Sequence, residues 1–132
     1  ANGGSAVSSR ELGVDEEIIV KTLIFEDERK QPMIILMNGD RSVSTKTLAR
    51  LLKVKTVTPC EVQTAQKHSG YMVGGTSPFG TKKTMPVYME KHILSFDKVF
   101  INGGKRGFLI AINPQDIVKV LSPQIVETGL SS

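Results

Sequence analysis

Lys21 is the residue best placed to do chemistry, because it interrupts an otherwise apolar, strand-like segment from Ile18 to Phe25. Alternation along a strand puts it on the same side as Ile19, Leu23 and Phe25, a face that should be buried. An ammonium there loses hydration unless it is paired or points into a cavity, which marks Lys21 as a candidate catalytic group. The same position also suits an edge-strand lysine whose tip reaches water along its apolar stem. The residue pattern alone leaves both readings open.

Two glycine-rich segments offer a different capacity. Gly74-Gly75-Thr76-Ser77-Pro78-Phe79-Gly80 sets flexible backbone beside a proline, a way to bring several N–H groups to one ligand oxygen. Asn102-Gly103-Gly104-Lys105-Arg106-Gly107 poses the same choice, and either segment would serve equally as a plain strand connection. Each has a basic pair close by, Lys82-Lys83 and Lys105-Arg106. Such pairs are commonly solvated surface, but beside backbone cradles they suit the phosphates of an RNA end.

Other chemistries lack their residues. His68 and His92 lie far apart in the chain, and no Cys/His/Asp cluster has metal-ligand spacing, so neither a metal nor a cofactor is expected. Ser77 lacks the second flanking glycine of a nucleophile elbow. Gly75 and Gly80 have phosphate-loop spacing, but Thr81 stands where that motif needs lysine and no helix pattern follows. Cys60 falls early in a predicted helix, where a thiol pKa can drop, yet a lone cysteine without a histidine partner more often serves packing.

The elements that must hold these residues follow from periodicity and punctuation. Ser5 to Leu12 has helical composition and meets Gly13. Ile18 to Phe25 and Pro32 to Met37 read as paired strands, with a turn over Glu26 to Lys30 and turn chemistry again at Asn38-Gly39. Leu48, Leu51 and Leu52 give a helical stripe between Thr45 and Lys53. Thr58-Pro59-Cys60-Glu61 resembles a capping box, predicting a helix from there to about His68 with a stop at Gly70. Met85 to Met89, Lys98 to Ile101 and Phe108 to Ile112 read as strands, and Asn113-Pro114-Gln115-Asp116 starts a last helix carrying Ile117, Val118 and Leu121. The sum is an α+β domain of at least five strands and about three or four helices.

At 132 residues the chain fits one domain able to bury its own core, and 39% hydrophobic with 23% charged residues is ordinary for a globular protein. No apolar run approaches membrane-spanning length, the polar Ala1 to Ser9 lacks the features of a secretory signal, and a single cysteine suits a reducing compartment. Cytoplasm is the expected location. Lys and Arg outnumber Asp and Glu by 17 to 13, for a net charge of +4, a mild invitation to polyanions.

Four pieces, in order, resemble one family. They are Val20-Lys21-Thr22-Leu23, Gly70-Tyr71-Met72-Val73 running into Gly74 to Gly80, Gly103-Gly104-Lys105-Arg106-Gly107, and Pro114-Gln115-Asp116-Ile117. They are similar to the YbaK/EbsC/ProX group of aminoacyl-tRNA deacylases, and the likeness runs from about Gly4 to Leu121. The resemblance implies a mixed β-sheet curled into an irregular barrel and flanked by helices, the YbaK or prolyl-tRNA-synthetase-associated editing fold. It implies a single domain over residues 1–132 from which a helix and strand that usually open the fold are missing. Lys21 would be the essential lysine. Gly74 would belong to the loop that receives the aminoacyl group, with Thr22, Gly75, Thr76, Ser77, Pro78, Gly80, Asn102, Gly103 and Gly104 lining the substrate pocket and Lys82, Lys83, Lys105 and Arg106 holding tRNA. Asn102 stands where relatives often carry serine, which alters polarity or width at the pocket floor.

The implied activity is deacylation of mischarged Cys-tRNA(Pro), in which the substrate's own thiol attacks its ester carbonyl. Aminoacyl-tRNA is the expected partner, with prolyl-tRNA synthetase as a possible donor of it. The alternatives are another small substrate such as Ala-tRNA(Pro), or a non-catalytic tRNA- or synthetase-binding module.

Overall fold

The computed structural model describes residues 5–72 and 75–131. After helix α1 (Ser5–Leu12), which ends at Gly13 with φ of 68°, a short 3-10 turn at Glu16–Ile18 leads into strand β1 (Ile19–Asp27). β1 pairs along its length with antiparallel β2 (Pro32–Asn38), in register from Val20 opposite Asn38 to Glu26 opposite Pro32. The hairpin is turned by Asp27, whose carboxylate accepts the N–H groups of Arg29 at 2.8 Å and Gln31 at 3.0 Å, while Lys30 takes φ of 62°. The strand therefore outlasts the boundary predicted at Phe25 by two residues. Asn38 stays extended inside β2, its side chain donating to the Glu17 carbonyl at 2.8 Å, and neither Asn38 nor Gly39 uses positive φ.

Next come β3 (Arg41–Val43), helix α2 (Thr45–Leu52) capped by Ser44, β4 (Val57–Pro59), helix α3 (Val62–Ser69), β5 (Val87–Glu90), a 3-10 turn at Lys91–Ser95, β6 (Val99–Asn102), β7 (Leu109–Ile112), helix α4 (Pro114–Leu121), β8 (Gln124–Val126) and β9 (Gly129–Ser131). The main sheet runs β7-β6-β1-β2-β5-β8, with β4 also pairing to β1, and β3 pairs with β9 in a small second sheet. Parallel and antiparallel pairs are mixed, and helices flank the sheet, in keeping with the expected α+β class. The path is open, with β7 and β8 at its two ends, and no closed barrel forms among the described residues.

The sheet is apolar on both faces, which is why β2 is buried at every position. Val20, Ile24, Ile34, Leu36, Met89, Val99 and Ile101 join Ile117 of α4 and Ala65 of α3 on one face. Phe25, Met33 and Ile35 join Leu48 and Ala49 of α2 and Val57 of β4 on the other.

One predicted helix start moves. Thr58 and Pro59 belong to β4, facing Glu26 and Phe25 of β1, and the Cys60 N–H donates to the Ile24 carbonyl at 3.0 Å. Sheet hydrogen bonds outcompete the local capping pattern, and proline is tolerated because β4 is an edge strand. The helix begins at Val62, with Glu61 at the N-cap making no side-chain cap, and ends as predicted at Gly70 with φ of 82°. The short strands β3, β4, β8 and β9 carry too few residues to display a period.

Candidate functional site

β1 shares one edge between two partners. β6 pairs with it only at Ile19 and Val20, and β4 only from Phe25 to Asp27. Between them lies a notch at Lys21-Thr22-Leu23, which no other strand fills among the described residues. The chain beyond β6 is the second glycine loop, while the chain beyond β4 passes through α3 before it reaches the first glycine segment.

Lys21 is half-buried, on the face that carries Leu23 and Phe25. The last β1–β6 pair is Val20 beside Ile101, so β6 leaves β1 where Lys21 begins the notch and runs on into Asn102 and the second glycine loop. Its ammonium donates to the backbone carbonyl of Arg41. Loss of hydration pushes its pKa below the ordinary 10.5, and the carboxylates of Glu16 and Asp40 pull partly back. An ammonium has three protons, so the bond to Arg41 leaves others for a ligand.

Thr22 turns its side chain to the opposite face, where its hydroxyl is buried with no hydrogen-bond partner among the described residues. Since the Ile24 carbonyl points to the β4 edge, alternation directs the N–H and C=O of Thr22 to the same edge, into the notch.

The glycine loops meet each other. A Cβ on Gly75 would lie 2.7 Å from the Arg106 nitrogen and 2.8 Å from the Lys105 carbonyl carbon, so these backbones touch and only glycine fits. Ser77 and Pro78 are buried, and Thr76 half-buried; the Ser77 hydroxyl accepts the Phe79 N–H at 3.1 Å. Gly80, at φ of 61°, sits near the Tyr71 hydroxyl, which donates to the Phe79 carbonyl. Gly74 and Val73 lie outside the described residues.

The second loop is tied by Asn102, which donates to the Lys105 carbonyl at 2.8 Å and accepts the Gly104 N–H at 2.6 Å. The Gly103 N–H donates to Phe108 and the Gly75 N–H to Met72, each at 2.9 Å. The amide hydrogens of Gly75, Gly103 and Gly104 are thus spent inside the loops, and their role is close packing. The open cradle anticipated from glycine content is not formed by these three groups.

Lys82, Lys83, Lys105 and Arg106 are all exposed. The Lys82 and Lys83 N–H groups anchor their segment to the Ser69 and His68 carbonyls at the end of α3. Cys60 follows β4, outside any helix, and its thiol donates to Glu26 at 3.3 Å. Burial, together with that carboxylate, pushes the thiol up to about 12, so it stays protonated at neutral pH and is no nucleophile. Among the described residues no group of three His, Cys, Asp or Glu side chains could hold a metal ion.

The family model described as Aminoacyl-tRNA editing domain matches residues 4–120. The chain belongs to this family. An editing domain of this kind is a hydrolase of the ester that joins an amino acid to tRNA. The domain is 28% identical over 116 residues, 88% of this chain and 71% of the relative, to EbsC of Enterococcus faecalis, named as a candidate Cys-tRNA(Pro)/Cys-tRNA(Cys) deacylase. It is also 21% identical, over 76% of its own length, to a segment making up 18% of the proline–tRNA ligase of Limosilactobacillus fermentum. A crystal structure named as a candidate trans-editing enzyme for prolyl tRNA synthetase superposes with a TM-score of 0.89 at 19% identity, covering 98% of this chain and 82% of that one, which shows the shared fold.

Several neighbours of the predicted site residues carried little or no signal in the sequence. The Arg41 carbonyl, the carboxylates of Glu16 and Asp40, and the rings of Tyr71 and Phe108 all touch or polarise the predicted site residues. Only Tyr71, directly upstream of the glycine run, carried a local signal. No described helix is long and apolar enough to cross a membrane.

Proposed function

We propose that this editing domain acts in trans on Cys-tRNA(Pro), with the notch beside Lys21 receiving the aminoacyl end. The observation that carries the reading is a partly desolvated lysine on the stretch of β1 that β4 and β6 leave unpaired among the described residues, its ammonium held by the Arg41 carbonyl. Fixed positive charge in a poorly hydrated site stabilises negative charge developing on an ester oxygen better than water does. With the Gly75, Gly103 and Gly104 amides already engaged, that task falls to Lys21 and to the Thr22 N–H. The Thr22 carbonyl, directed into the notch, suits the substrate's α-ammonium. Thr76, Ser77, Pro78 and Gly80 shape the loop that receives the aminoacyl group, and Lys82, Lys83, Lys105 and Arg106 take phosphates of the acceptor end.

In this reading no side chain of the protein attacks the ester, and the substrate supplies the nucleophile. Its thiol sulfur bonds to the ester carbonyl carbon, the carbon–oxygen bond to ribose breaks, and the thiol proton ends on the ribose oxygen. Water then opens the cyclic thioester to free cysteine. Holding sulfur and carbonyl together supplies effective molarity in place of a catalytic side chain. The likeness to a segment of a proline–tRNA ligase supports prolyl-tRNA synthetase as the source of the misacylated tRNA, and a translation substrate places the reaction in the cytoplasm.

Lys21→Ala tests the reading. The expected result is loss of turnover by at least about 100-fold, the scale of removing one oxyanion donor, with tRNA affinity nearly kept. Full turnover in Lys21→Ala, or a parent protein that binds tRNA and cleaves nothing, would leave a binding module in place of the enzyme.

A further inference from the structure

Gly103 and Gly104 are packed between two aromatic rings. A Cβ on Gly104, which takes φ of 120°, would lie 3.0 Å from the Tyr71 ring, and one on Gly103 would lie 2.6 Å from the Phe108 ring. Tyr71 is the inner member, its hydroxyl donating to Phe79. Phe108 is the outer one, 52% exposed although it lies in a tightly bonded loop: its N–H donates to Lys105 and its carbonyl accepts from Gly103, each at 2.9 Å. A large apolar ring laid against glycine, fixed at its backbone and left open to solvent, does nothing for the core.

Exposed Lys105 and Arg106 lie three and two residues away, and their backbones touch Gly75 of the other glycine loop. Asn102 ties the same loop and directly follows Ile101, the last β6 residue paired with β1 before Lys21. An aromatic plate flanked by cations at the mouth of a site fits an unpaired nucleobase whose backbone phosphates meet the cations. We propose that Phe108 is a stacking platform for an unpaired base at the 3′ end of the tRNA, with Lys105 and Arg106 on adjacent phosphates. The inference rests on the reading of this site as an aminoacyl-tRNA editing site. It adds a base-recognition position in which glycine at 103 is required by the ring.

The test uses tRNA with a fluorescent adenine analogue as its terminal base, in uncharged form for binding and as the cysteinyl ester for turnover. Stacking on Phe108 quenches the fluorescence. Phe108→Ala and Phe108→Leu should both lose the quench and bind roughly 5- to 100-fold more weakly, raising KM while leaving kcat close to that of the parent. Phe108→Tyr should keep both properties. Leucine performing as well as phenylalanine would overturn stacking in favour of simple apolar contact. Unchanged tRNA binding in all variants would likewise overturn it, and weakened capture of prolyl-tRNA synthetase by those variants would reassign the ring to a protein interface. Binding is read on uncharged tRNA, so a parent that quenches but does not cleave would fault the deacylase reading and leave Phe108 standing.

Discussion

Lys21 is held in a position that disfavours its own charge, and that has measurable consequences at the scale of the residue. Its folded pKa lies below the ordinary 10.5, so between those two values the unfolded chain binds the extra proton. Folding stability therefore rises with pH through that window, and the burial penalty is present in full at neutral pH. If the ammonium is the reacting cation, kcat should fall as pH climbs toward the lowered pKa, on a limb below 10.5 that is absent from the residual activity of Lys21→Ala. A basic limb unchanged by that substitution would assign the titration elsewhere. Lys21 was legible because one cation among alternating apolar residues is a local pattern. The carbonyl that receives it was not, because Arg41 reaches it only through the fold.

At the scale of elements, two junctions hold the site together. Where Gly75 meets the backbone of Lys105 and Arg106, a methyl group has no side chain to push aside. Gly75→Ala should cost about 1–3 kcal/mol of stability by overpacking and lower kcat/KM by at least tenfold as the loops part; thermal unfolding and initial rates check the two effects. Glu90 forms the second junction. Its buried carboxylate accepts the N–H groups of Thr128 at 2.8 Å and Gly129 at 3.1 Å and lies 3.9 Å from the Arg41 guanidinium. It thereby fastens β9 beside β3, the strand whose first carbonyl receives Lys21. Glu90→Ala should destabilise the fold by about 2–4 kcal/mol, with amide exchange accelerating first at residues 128–131. The long strands and the amphipathic α2 were readable from period alone, whereas β3 and β9 exist by pairing with each other. The Thr58-Pro59-Cys60-Glu61 pattern misled because β1 offered its backbone a better partner than a helix cap could.

At the scale of the molecule, the balance of 17 basic against 13 acidic residues understates the local field, since four exposed cations flank the two glycine loops. Binding to tRNA should weaken linearly with log salt, and the Lys105→Ala/Arg106→Ala double variant should flatten that slope by about 1.4, or ~0.7 for each single-strand phosphate left without its cation. An unchanged slope would remove these residues from the RNA interface. Family membership was legible as a whole because its motifs are contiguous, while the notch depends on where β4 and β6 stop along β1, a tertiary fact with no local signature. The most direct measurement is release of the amino acid from Cys-tRNA(Pro), with Ala-tRNA(Pro) and Lys21→Ala in parallel. Fast, Lys21-dependent release of cysteine with slow release of alanine is the predicted result, because only cysteine carries the attacking thiol. Equal release of both amino acids would contradict the thiol-assisted mechanism, and release of neither by folded protein would contradict the assignment of this site to cysteine editing.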